Sequence, residues 1–177
     1  MRIKVMSDIH TEFWQCEEDY MSPGSGDVLV LAGDIGMAAD LLMDDCPYQW
    51  FLQECADNYN QVFYIMGNHE SYEGDFTQTE GILREYLPDG ITLLHNQSVL
   101  YEGVHFVGAT MWADFHNGKG TMIEGARKWM NDYHMVQYGD RTMQPEDTLK
   151  EHDNTITWLN QCLPMLKMAP VVVITHH

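Results

Sequence analysis

Short runs of β-branched and aliphatic residues recur along this chain, and the way they end limits its fold more than any other feature. Ile3 to Met6, Val28 to Ala32, Val62 to Met66, Ile91 to Leu94, Val104 to Gly108 and Val171 to Thr175 are bounded by glycine, aspartate, asparagine and other polar residues. Runs of this length, bounded in this way, read as buried strands. Helix-length segments separate several of them: Met37 to Asn58 is expected to be helical in part, and Phe76 to Tyr86 reads as helical. Such alternation predicts an α/β sandwich. Further on, Ile123, Ala126, Met130 and Tyr133 mark one helical stripe, and Leu149, His152, Ile156, Leu159, Leu163 and Leu166 mark a second. Pro145, followed by Glu146 and Asp147, suits the first turn of that second helix, which Pro164 is expected to kink or end. Ser22 to Asp27 reads as a turn into the second strand. No repeat or low-complexity linker interrupts the sequence, so residues 1–177 are read as one domain.

Charge narrows the partners. Nine Lys and Arg stand against 27 Asp and Glu, a net charge of −18 with a pI near 4.5. A field of that sign repels phosphate backbones and anionic lipid, so there is no strong nucleic-acid signal and no membrane surface is expected. No window approaches the roughly 18 apolar residues of a membrane span. The start of the chain has no signal-peptide core, which gives a cytoplasmic expectation. Cys16, Cys46, Cys55 and Cys162 form no C-x-x-C pair and are expected to be reduced thiols.

The chemistry lies where the runs stop. Ile3 to Met6 leads into Ser7-Asp8-Ile9-His10, Val28 to Ala32 into Gly33-Asp34, Val62 to Met66 into Gly67-Asn68-His69-Glu70, and Val171 to Thr175 into His176-His177. Ligands bind outside the carboxyl ends of strands in open α/β sheets, so these endings should converge. They offer carboxylate, amide and imidazole donors and no thiol, a set that suits Mn, Fe, Zn, Co or Ni. In an extended chain Asp8 and His10 would point to one side and reach one ion. Gly33 and Gly67, each just before a candidate ligand, leave room for a tight turn. Taken singly, an Asp or Asn after a strand is a turn residue or helix cap; the ordered coincidence is what points to a site.

In these motifs the sequence resembles the calcineurin-like metallophosphoesterases. Asp8-Ile9-His10, Gly33-Asp34, Gly67-Asn68-His69-Glu70 and Thr175-His176-His177 correspond to the first four motifs of that family. Gly108 to Phe115 and Met130 to Tyr133 are similar to a small bacterial or phage-like branch. The resemblance implies a four-layer α/β/β/α sandwich of two mixed sheets. It implies two divalent ions, with manganese as the first expectation: Asp8 and His10 on the first, Asp34 bridging, Asn68 and His176 on the second. His69 would act on the leaving group, and a metal-bridging hydroxide would attack a phosphomonoester or phosphodiester, either a small molecule or a longer diester. Glu70 is expected either to orient a neighbouring imidazole or to sit as a solvated carboxylate.

The family's last motif, G-H-x-H, has no counterpart here. The fold is therefore expected to be incomplete at the C-terminus, with both ions short of a ligand unless His177, another histidine or a partner chain substitutes. The same feature leads us to expect an exposed C-terminal sheet edge through which chains could form a homo-oligomer. It also leaves open an alternative, a non-catalytic interaction module on the same fold. Trp112, Asp114 and His116 are expected either to line a cleft or to pack on the sheet, and His152 to be a hydrogen-bonded core histidine. Rival motifs fail: His69-Glu70-Ser71-Tyr72-Glu73 lacks the second histidine of a zinc protease helix, and Gly118-Lys119-Gly120 lacks the hydroxyl of a P-loop.

Overall fold

The computed structural model describes residues 1–166 and 168–177, with the side chain of Glu17 left aside. Four parallel strands, β1 (Ile3–Met6), β2 (Gly26–Ala32), β3 (Tyr59–Ile65) and β4 (Ile91–Leu93), form one sheet in that order. In the second sheet β5 (Gln97–Tyr101) runs antiparallel to β6 (Val104–Thr110). A short hairpin, β7 (Gln137–Tyr138) and β8 (Arg141–Thr142), stands apart. β9 (Val171–His176) then pairs parallel with β6. The first sheet is thus parallel and the second mixed.

Alternation along the strands builds the layers. Val28, Val30, Ala32, Phe63 and Ile65 face the second sheet and pack with Phe106, Leu94 and Ile174. The intervening Leu29, Leu31, Val62 and Tyr64 meet Tyr48, Phe51, Leu52 and Cys55 of α1 (Pro47–Asn58) and Leu83 of α2 (Phe76–Tyr86). Because β2 and β3 are covered on both faces, they read as continuous apolar runs rather than alternating ones. The short segment α3 (Phe115–Gly118), with α4 (Gly120–Trp129) and α5 (Asp132–Met135), carries a smaller cluster around Trp112, Tyr133 and Met143. The long helix α6 (Pro145–Cys162) packs against β6 and completes an α/β/β/α arrangement. No helix among the described residues is long and apolar enough to cross a membrane. All four cysteines are free.

Helix starts follow the expected chemistry. Asp75 caps α2 by accepting from the Thr77 N–H at 2.8 Å. Pro145 opens α6, where Gln144 and Asp147 form a capping box and Arg141 grips Asp147 at 2.7 and 2.8 Å. Pro164 lies in the 3-10 turn, Leu163–Met165, that ends this helix.

Three local expectations change. β5 begins with polar residues and is not apparent from its own composition; it forms because Glu102 and Gly103, both with positive φ, turn the chain so that it pairs with β6. The Ile123 to Tyr133 stripe is two helices, broken where Met130 becomes extended. The buried face of α6 is Thr148, Thr155, Leu159 and Cys162, whereas Ile156 is exposed and Leu163 and Leu166 lie beyond the helix. Thr148 donates to the Pro145 carbonyl and Thr155 to the Thr110 carbonyl, so these hydroxyls enter the core already paired, something a hydrophobic pattern does not register.

Among the described residues β9 is an edge strand, and Val171 and Val173 on it are 37% and 46% exposed. An open apolar edge invites pairing between chains. We propose that this edge pairs between chains: light scattering would then give a mass above 20.5 kDa that rises with concentration, and Val173→Lys would return the single-chain value. A concentration-independent single-chain mass for the parent protein would count against this.

Candidate functional site

All strands of the first sheet are parallel, and β6 and β9 run together, so the turns after β1, β2, β3 and β9 reach one edge. The turns are laced together by main-chain bonds: Asp8 N–H donates to the Gly33 carbonyl, His10 to Asp34 and Thr11 to Ile35, at 2.9 to 3.1 Å. Asp8, His10 and Asp34 all take left-handed backbone, with φ of 55°, 53° and 55°. The extended geometry expected for Asp8 and His10 is therefore absent. They meet because two left-handed residues curl the chain, at a cost of about 1–3 kcal/mol each that the surrounding ladder must offset.

Ligand atoms of Asp8, His10 and Asp34 lie within 4.8 Å of one another. His176, on β9, faces Asp34 from the other side, its Nε2 3.5 Å from Oδ1. Its Nδ1 donates to the Ala32 carbonyl at 2.8 Å, which turns Nε2 towards the cluster. The two glycines are needed for space. A Cβ on Gly33, which also has φ +88°, would come within 2.5 Å of the His176 ring, and one on Gly67 would strike Asp34 Oδ1. The structure thus brings Asp8, His10, Asp34 and His176 together.

Asn68 and His69 follow β3. The His69 N–H donates to Asp34 Oδ1 at 2.9 Å. Its ring lies edge-on to His10, with centroids 4.4 Å apart, and stacks on Tyr72 at 4.0 Å. Asn68 Nδ2 donates to the Tyr72 hydroxyl at 3.3 Å, and that hydroxyl donates to Asp132 Oδ2 at 3.3 Å. With its amide nitrogen so engaged, Asn68 has its Oδ1 free to accept a cation. His177 is exposed, with its ring parallel to that of His176, and borders a small hollow shared with Asn68, Trp112 and Asp132. Trp112 lines that hollow with φ of 52°, Asp114 caps the turn after it, and His116 is exposed. His152 donates to the Met111 carbonyl at 3.0 Å, a hydrogen-bonded packing role.

Two acids do more here than the sequence suggests. Glu70 is neither solvated nor bonded to an imidazole. It is 1% exposed and accepts from the N–H groups of Asp34, Ile35 and Gly67 and from the Tyr64 hydroxyl. Burial and the nearby Asp34 carboxylate push its pKa up, while those donors pull the other way. Glu12 has one oxygen 2.8 Å from His69 Nδ1 and 3.1 Å from His10 Nδ1. Burial alone would raise its pKa, but the bond from His69, its own main-chain N–H and the contact with His10 together outweigh it and hold the carboxyl low. For His69 burial favours the neutral ring, yet the Glu12 bond and Asp34 charge raise its pKa. The same opposition lowers Asp34 and raises His176 to about 9: burial acts against each charge, and their mutual contact prevails.

Asp8, Glu12, Asp34 and Glu70 thus crowd their carboxylates at one edge, where among the described residues only imidazoles pair with them. No lysine or arginine occurs between Lys4 and Arg84. The second oxygen of Glu12 and one oxygen of Asp132 are buried without a hydrogen-bond partner. Hard oxygen and imidazole donors, short of positive charge and grouped within 4.8 Å, fit a divalent cation.

Comparison with known proteins agrees with this geometry. The chain is 29% identical, over all of its length and 68% of the relative's, to the uncharacterized protein L509 of Acanthamoeba polyphaga mimivirus. Its fold is similar to the crystal structure of a phosphopantetheinyl hydrolase (PptH) from Mycobacterium tuberculosis. The TM-score is 0.70 at 17% identity, covering 98% of this chain and 67% of that one. The profile of the calcineurin-like phosphoesterases matches residues 1–177, and the chain, with its strand-end motifs gathered at one edge of an α/β sandwich, belongs to that family.

Proposed function

We propose that this chain hydrolyses phosphomonoesters or phosphodiesters with two divalent metal ions, and that residues 1–177 make up one such domain. Asp8 and His10 would hold the first ion, Asn68 and His176 the second, and Asp34 would serve both. The observation that carries the reading is the convergence of Asp8, His10 and Asp34 within 4.8 Å, with His176 against the second oxygen-bearing side of the same carboxylate. The donor set, carboxylate, amide and imidazole without thiol, suits Mn, Fe, Zn, Co or Ni, and manganese is put first on the family resemblance. Bound there, such ions would supply positive charge that polarises a phosphoryl oxygen and acidifies water.

The protein's own groups hold and orient. Ala32 fixes the His176 tautomer through its carbonyl, and Tyr72 fixes the Asn68 amide so that its oxygen is presented. His69 spends Nδ1 on Glu12, so Nε2 is the atom left to give a proton to a departing oxygen. Glu12 and the Tyr72 ring hold that imidazole in place, and the Glu12 charge favours the protonated form. Glu12 is a positioning residue in this scheme.

Hydrolysis of mono- and bis-nitrophenyl phosphate in added Mn²⁺, beside elemental analysis of metal, tests the reading. Asp34→Asn is expected to lose most bound metal and turnover. His69→Ala should keep the metal and lower kcat about 10²–10⁴-fold. Parent-like rates in both variants, or a parent protein that takes up no metal, would defeat the proposal and leave a non-catalytic module. For Glu12→Gln the expected change is a fall in kcat of about 10–100-fold with KM and metal content little altered. A rise in KM alone would remove Glu12 from the scheme.

A further inference from the structure

Away from this site, Trp14, Tyr20 and Trp50 border a hollow of about 560 Å³ together with Gln15, Cys16 and Pro47. Trp14 and Tyr20 meet edge to face with centroids 5.3 Å apart, and Trp14 is anchored on Phe51 of the core. Trp50 stands on the first turns of α1 and is 52% exposed, an unusual position for so large an apolar surface. Carboxylates are fixed around these walls. Asp45 accepts from the Trp50 indole N–H at 2.9 Å, and Asp19 accepts from the main chain of Gln15 and Cys16 at 2.8 and 3.2 Å. Glu18 accepts from the Cys16 thiol at 3.3 Å. No lining residue is basic, and the sequence has no lysine or arginine from residue 5 to residue 83.

Aromatic faces carry negative potential, and several around one hollow attract a weakly hydrated cation. A carboxylate rim adds long-range attraction and disfavours anions. A purely apolar partner would gain nothing from those fixed charges, while a small ammonium or metal ion would keep its water. We propose that this hollow binds a small soluble organic cation with a quaternary, trimethylammonium-type head. The site is independent of the phosphoester chemistry and uses none of its residues.

The test follows tryptophan indole N–H signals of ¹⁵N-labelled protein during titration with choline chloride. Its neutral carbon isostere, 3,3-dimethyl-1-butanol, and phosphatidylcholine vesicles form the other arms. Choline is expected to shift the Trp14 and Trp50 signals saturably and to bind about tenfold more tightly than the isostere. Trp50→Ala should weaken choline binding about tenfold, with the remaining indole signals unmoved as a check on the fold. Asp45→Asn, a residue at φ 63° where asparagine is well tolerated, should weaken it a few-fold if the alanine variant misfolds. Equal binding of the neutral isostere would overturn the proposal in favour of an apolar docking face. Binding to vesicles without binding to free choline would overturn it in favour of a lipid surface, and no saturable shift with any of them would remove the site.

Discussion

The site depends on Glu70, a carboxylate with almost no contact with water. Its two oxygens collect the main-chain N–H groups of Asp34, Ile35 and Gly67 and the hydroxyl of Tyr64. These donors come from the ends of neighbouring strands, so one side chain stitches the turn after β2 to the turn after β3. Hydrogen bonds to a charged group contribute about 1.5–3 kcal/mol each, enough together to hold a buried carboxylate and the left-handed turn at Asp34. Tyr48 continues the network, its hydroxyl 2.5 Å from that of Tyr64, deep under α1. The candidate ligands are therefore braced by a polar column rooted in the hydrophobic core.

Above that column the charges are unbalanced by design of the sequence. Carboxylates gather, and among the described residues imidazoles, not lysines or arginines, pair with them. The raised pKa of His69 and His176 and the lowered pKa of Asp34 and Glu12 are two sides of this pairing. Such an arrangement is poor at stabilising a fold by itself, since desolvated ion pairs roughly cancel their own attraction. It is well suited to receiving a multivalent cation.

Much of this was legible in the residues. Each apolar run lies within or overlaps a strand, and Phe76–Tyr86 is a helix to its named ends, because buried parallel strands and proline- or aspartate-capped helices leave strong local marks. The gathering of Asp8, His10, Asp34 and His176 follows from parallel strand order. What stayed hidden depends on three dimensions. Glu12 sits two residues beyond His10, yet its partner His69 is far along the chain. Glu70 looks like a solvated helix-start acid until its main-chain donors are seen, and β5 acquires its identity only from β6. The buried face of α6 does not show in a hydrophobic pattern, because threonines satisfied by nearby carbonyls behave as core residues.

The His176 bond to the Ala32 carbonyl joins side chain and backbone from the two different sheets. Of the candidate ligands, Asp8, His10, Asp34 and Asn68 therefore ride on the first sheet and His176 on the second, with Phe63 and Phe106 stacked between the sheets at 4.2 Å. The greasy filling acts as a spacer gauge, and the separation of the opposing donors inherits its thickness. Thinning or swelling that layer far beneath the surface would reset the spacing of those donors, without touching any one of them.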